Sequence, residues 1–257
     1  MALPEYDENI LVSAAKFKPQ QAIEFFRKKG FKITWNWRET LASANAQTFT
    51  VAKSINMGIL KDINKSVDKA IADGISFEKF AAELEPTLRK RGWWGMKTVN
   101  GERVRLGSMH RLKTIYDTNT QSAYNAGRWE TQERGKVRRP FLRLNEVLDG
   151  STRDSHRRVS GTVAEVGDAF WDRWYPPNGF NCRGRVQSLN QRELDRETQA
   201  GRAHKITAKD KKAQPDKGFD ANPGKKEFVP ERDGVTPAQL KKVDAMKQQD
   251  PPVSGRK

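Results

Sequence analysis

The sequence predicts a predominantly helical α+β protein: N-terminal helices, a long central helix packed on a small antiparallel sheet, and an extended C-terminal arm. Three observations carry that expectation. Apolar residues recur at three- and four-residue spacing through most of the first 130 positions. Short runs bounded by Asn-Gly, Asp-Gly and Pro-Pro then mark strands and turns. Beyond about Gly201 the apolar periodicity stops, lysines rise, and prolines recur at 215, 223, 230, 237, 251 and 252.

The first helix is expected in KPQQAIEFFRKKG. Pro19 suits a first helical position, Ala22, Ile23 and Phe26 share one face, and Gly30 is a stop. Leu41, Ala44, Thr48, Ala52, Ile55 and Ile59 continue at helical spacing, as do Ile63, Val67 and Ile71 up to Gly74. This reads as one long helix or two joined near Gly58. Ser76 caps a further helix whose face is Phe77, Phe80, Ala81, Leu84 and Leu88. MKTVNGERVRLG places Asn100-Gly101 between two short runs, a type I′ hairpin signal. The clearest helix is SMHRLKTIYDTNTQSAYNAGRWETQERG. Its stripe is Leu112, Tyr116, Asn119, Ala123 and Ala126; Asn119 is expected to bond a neighbouring loop, and Gly127 to admit another backbone. A strand follows in RRPFLRLNEVLDG, then a turn at Asp149-Gly150 and one or two helical turns capped by Ser151. A strand from Phe180 to Leu189 and a short helix in NQRELDRE complete the reading. The expected organisation is a helical attachment module over 1–91, a compact domain over 92–200 and a basic arm over 201–257.

The chain has 257 residues, a formal charge of +16 and 31% charged residues. Such a charge favours nucleic acid or an acidic partner and says nothing of fold. Arg89, Lys90, Arg91, Arg103, Arg105, Arg111 and Lys113 surround Trp93 and Trp94 and form the expected contact for an anionic partner. A lone cysteine, Cys182, excludes an intramolecular disulfide framework. The N-terminal run carries acids and no signal-like apolar core, and no stretch approaches the roughly 20 apolar residues of a membrane span, so a chain made in a reducing cytoplasm is expected.

The chemistry-bearing residues concentrate between Leu148 and Val186. His156 and Cys182 are possible zinc ligands, with Asp149 or Asp154 as oxygen donors, but CxxC and HxxxH spacings are missing. Cys182 as a nucleophile needs His156 as base. Asp149, Arg153, His156 and Cys182 together are the alternative centre of a nuclease or transferase, although Walker, Rossmann, GxSxG and HExxH patterns are all missing. The preferred reading is a structural lock. A short helix aims Arg153 and His156 at one partner, and Arg153 pairs with Asp149 or with carbonyls of the last strand. The Pro176-Pro177-Asn178-Gly179 turn returns Cys182 beside that helix, and Trp171, Trp174 and Tyr175 seal the assembly.

The runs YDTNTQSAYNAGR, LDGSTRDSHRRVSG and YPPNGFNCRGRV resemble the phage Mu F-type head morphogenesis family. Its pattern falls here on Asn119, Ala123, Gly127, Asp149, Arg153, His156, Gly161, Pro177, Cys182 and Arg183. KPQQAIEFFRKKG, FTVAKSINMGILKDI, RGWWG and DKGFDANPGK are similar to further family segments, so the likeness covers roughly residues 15 to 228. Many relatives carry Cys-Arg-Cys where this chain has Cys182-Arg183-Gly184, which counts against zinc; no metal or cofactor is expected. The resemblance implies a non-enzymatic minor head protein of a tailed phage or prophage, acting in head morphogenesis and DNA packaging or ejection. Implied partners are the portal protein, a scaffold or major capsid protein, and packaged DNA. The implied place is inside the virion head near the portal.

Overall fold

A computed structural model describes residues 19–31, 33–34, 48–54, 56–99 and 101–225. Helix α1 (Gln20–Arg27) buries Ala22, Ile23 and Phe26, the expected face. Strands β1 (Gly30–Phe31) and β2 (Thr48–Phe49) pair in parallel, and a bridge from Thr34 to Ala52 extends the pairing. Gly30 therefore opens a strand and is not merely a stop. The helix expected through Thr48 and Ala52 is not formed there; positions 41–47 and Ile55 lie outside the described residues. The physical reason lies in TFTV, where β-branched and aromatic side chains favour a pleated strand over a helix. Helix α2 (Met57–Asp73) then starts afresh, because the Asn56 side chain accepts the Ile59 N–H. Gly74 ends it in the left-handed region at φ 64.

Helix α3 (Phe77–Lys90) is capped by Ser76, and a β-hairpin follows in β3 (Met96–Val99) and β4 (Glu102–Arg105). The long helix α4 (Met109–Arg134) begins where Ser108 Oγ accepts the Arg111 N–H. A four-stranded sheet has the order β7 (Arg185–Leu189), β5 (Phe141–Asn145), β6 (Thr162–Glu165), β8 (His204–Lys205). It is antiparallel through β7, β5 and β6, with β8 parallel to β6 at one edge. Four short helices decorate it: α5 (Asp154–Val159), α6 (Phe170–Trp174), α7 (Gln191–Gln199) and α8 (Ala208–Lys212). α7 occupies the expected NQRELDRE segment and opens with a capping box between Asn190 and Glu193. The sequence does not predict strand β6 or helix α6: Thr162, Val163 and Ala164 are all buried without alternation, and α6 has no side-chain cap.

Two apolar cores share α4. Leu112 and Ala123 join the α1–α3 core, where Ile59, Leu60, Ile63, Val67 and Ile71 are wholly buried. Each such side chain contributes about 1.5–3 kcal/mol relative to exposure. Trp129 joins the sheet core with Leu142, Leu144, Trp171, Trp174 and Tyr175. Gly127 marks the crossing with α1: a Cβ there would meet Ala22 N and Gln21 Cβ at 3.1 Å, so the expected backbone approach is present. Packing continues through the described part of the C-terminal segment, where Ala203, Ala213, Phe219 and Asn222 are buried. Of the arm expected over 201–257, the described part, up to Lys225, instead carries β8 and α8 and packs on the domain; positions 226–257 lie outside the described residues.

Candidate functional site

The sequence motif assembles around the loop between β5 and β6. Asp149 Oδ1 accepts the Ser151 N–H at 2.9 Å, and the Asp149 N–H reaches Thr152 Oγ1 at 3.1 Å, which closes the turn. The Arg183 guanidinium grips both Asp149 oxygens at 2.6 Å. With the Ser151 N–H, it holds the Asp149 carboxyl far below the usual carboxylate range. Arg153 stands at the N-cap of α5, so Ser151 is not the cap. Arg153 donates to Phe180 O at 2.8 Å and pairs with Asp216 at 3.0 Å. Of the two partners expected for Arg153, Asp149 is taken instead by Arg183, while the carbonyl alternative is met at Phe180, in the segment expected as the last strand. That strand begins at Arg185 and not Phe180, because Asn181 turns the chain at φ 56.

Behind these surface pairs lies a buried cluster of Glu146, His156 and Cys182. His156 Nδ1 is 3.3 Å from Glu146 Oε1 and 4.0 Å from Cys182 Sγ. The imidazole and the carboxylate are each 3% exposed, which removes both from solvent and from any substrate. Burial lowers the His156 pKa, the neighbouring Cys182 sulfur and Glu146 carboxylate raise it, and the net is a rise to about 10. The ring packs edge-on to Trp174 with centroids 5.9 Å apart. Glu146 was not singled out by the sequence. Its one signal is Gly184: a Cβ there would meet the Glu146 carboxylate at 2.5 Å, so the missing side chain makes room for it.

This geometry does not suit a nucleophile. A base that activates a thiol uses one ring nitrogen for the sulfur and the other for an orienting partner. Here both partners crowd Nδ1, and Nε2 makes no hydrogen bond. The four residues of the alternative nuclease centre divide likewise: Asp149 and Arg153 are held in surface ion pairs, while His156 and Cys182 face inward.

Other motif residues serve elsewhere. Asn119 donates to Ile115 O in its own helix at 2.8 Å, so the expected loop bond is not made. Its side chain lines a cavity of about 300 Å³ between α4 and the C-terminal segment, together with Arg111, Thr118, Pro177 and Phe219. Gly161 sits at φ 87, and its C=O accepts the His204 N–H from β8. The basic set is not one open patch. Arg89 pairs with Glu85, Arg91 with Asp62 and Lys113 with Asp117. Arg111 is turned inward over Trp93 and donates to the Arg105, Leu106 and Ala52 carbonyls; burial lowers its pKa to about 10. Lys90, Arg103 and Arg105 remain exposed, and no carboxylate among the described residues pairs with them.

Comparison with known proteins agrees with the motif. The family described as phage Mu protein F like protein matches residues 61–187. A protein of Escherichia phage Mu named as a proposed capsid assembly protein F is 43% identical over 185 residues, covering 70% of this chain and 42% of the phage protein. The Mu-like prophage FluMu F protein of Haemophilus influenzae is 42% identical over 160 residues, covering 62% and 39% of the two chains. The chain thus spans about two fifths of the length of these curated relatives. No solved structure matches. Among the described residues, no helix is long and apolar enough to cross a membrane.

Proposed function

Because this chain is a homologue of the F proteins of phage Mu and Mu-like prophages, we propose that it is a minor head protein that acts in head assembly by binding. The observation that carries the reading is the 43% identity to the phage Mu protein over 185 residues. The site geometry supports it: the motif's charged residues are consumed in local pairs, Asp149 with Arg183 and Arg153 with Asp216. In this reading the protein sits inside the head at the portal. Lys90, Arg103 and Arg105, near the β-hairpin, face an anionic partner, either packaged DNA or an acidic face of portal, scaffold or capsid protein.

A mass-spectrometric census of purified procapsids and mature particles, after a high-salt wash, tests this. The expected result is that the chain stays with both at a few copies per portal. Absence from both overturns the reading. Presence in procapsids alone restricts it to an assembly factor that leaves before the head is finished.

A further inference from the structure

Glu146 Oε1, His156 Nδ1 and Cys182 Sγ lie within 4.8 Å of one another, the one such cluster of metal-ligating atoms among the described residues. Their separations approach those of a tetrahedral zinc shell. Bonds of about 2.0–2.3 Å to a tetrahedral zinc ion place neighbouring ligand atoms roughly 3.3–3.8 Å apart. The nitrogen–oxygen separation, 3.3 Å, falls in that range, and the sulfur–nitrogen separation, 4.0 Å, lies slightly beyond it, so the thiol draws in on binding. Glu146 Oε1 is buried and makes no hydrogen bond, its close polar neighbour being His156 Nδ1 in an ion pair at 3.3 Å. Charge also balances. A carboxylate, a thiolate and a neutral imidazole neutralise one divalent ion, and a buried site tolerates little else.

We propose that Glu146, His156 and Cys182 form a structural zinc site that ties the end of β5, helix α5 and the turn before β7 together. On binding, zinc replaces the proton on Nδ1 and the proton on Sγ, forms bonds to both atoms and to Oε1, and releases the protons to solvent. The burial of all three ligands and the Trp174 ring against His156 keep substrates out, so the ion is structural. Gly184 is the enabling neighbour, since any larger side chain displaces the Glu146 carboxylate from the shell.

The full chain is stripped with chelator and titrated with Co²⁺, with zinc added afterwards. One equivalent of cobalt should produce a thiolate-to-cobalt charge-transfer band in the near ultraviolet, and zinc should abolish it and raise the melting midpoint. Cys182→Ser should lose the band. Should that variant fail to fold, Glu146→Gln should keep the band and weaken cobalt binding. No band and no shift in melting with excess zinc overturn the site. A band that survives Cys182→Ser in a folded protein overturns it equally.

Discussion

Tyr175→Phe tests how α4 is fastened to the sheet. The Tyr175 hydroxyl donates to Gln132 Oε1 at 2.7 Å, and Gln132 Nε2 donates to Val186 O at 3.1 Å. The chain of bonds runs from the loop after α6 through α4 into β7, with all three residues buried. Burial pushes the phenol pKa well above its ordinary value, so it remains a donor across the usable pH range. Removing the oxygen leaves Gln132 Oε1 buried without its partner. That orphaned acceptor costs about 1–3 kcal/mol, against the roughly 1 kcal/mol of an average exchanged bond. For a domain of this size the midpoint should fall by about 2–4 °C per kcal/mol. Urea unfolding followed by tryptophan fluorescence reads it directly, since the Trp129 ring lies 5.0 Å from that of Tyr175. Gln132→Met strands both the hydroxyl and the Val186 carbonyl, so it should cost more than Tyr175→Phe. A Tyr175→Phe protein within about 0.5 kcal/mol of the parent, with unchanged slope in urea, refutes the claim that this relay fastens helix to sheet.

Four further outcomes follow from the same geometry. Glu197 sits between Arg202 and Arg143, whose hydrogen bonds hold its carboxyl down at about 2. A depressed carboxyl stabilises the fold above its unfolded value near 4.3 and loses that contribution as pH falls toward 2. The urea midpoint of Glu197→Gln should therefore fall less than that of the parent between pH 5 and 2; parallel profiles would contradict the pairing. Gly184→Ala should destabilise by about 1–3 kcal/mol through overpacking against Glu146, measured by the same unfolding assay; a neutral result would show that the carboxylate has room to move. Replacing Lys90, Arg103 and Arg105 with Ala should leave stability intact and, if DNA is the partner, reduce the slope of log affinity against log salt by about 0.9 per lost phosphate contact. Arg111→Ala should do the reverse, lowering the melting midpoint with little effect on binding, because its guanidinium is spent on carbonyls.

Elements whose signal is local were legible in the sequence. Gly74, Ser76, the β3–β4 hairpin and the Leu112–Ala126 stripe act through neighbours a few residues away, and the structure agrees with each reading. The errors arose where distant residues decide. Thr48 and Ala52 fit a helical period, yet a partner strand at Gly30–Phe31 recruits this segment into a sheet instead. Asp149 and Arg153 look paired at four residues' spacing, but Arg183 and Asp216 arrive from elsewhere and take one each. Charge spacing on a short segment cannot show which long-range partner has the better fork geometry.

The same reasoning explains why Glu146 stayed hidden while His156 and Cys182 did not. A histidine or a lone cysteine is chemically conspicuous anywhere; a glutamate at the end of a strand in a highly charged chain is not. What gives it meaning is a residue 38 positions away that has no side chain. Gly184 lacks a positive φ, so its backbone does not require glycine; the requirement is space for a carboxylate. Glu146 and Gly184 are therefore one structural decision written at two positions. A larger residue at 184 has to be matched by a smaller or differently charged one at 146, and Gly184→Ser should be tolerated better beside Glu146→Ala than beside the native glutamate. A double-mutant unfolding cycle measures that coupling, and additive costs would show that the two positions are independent.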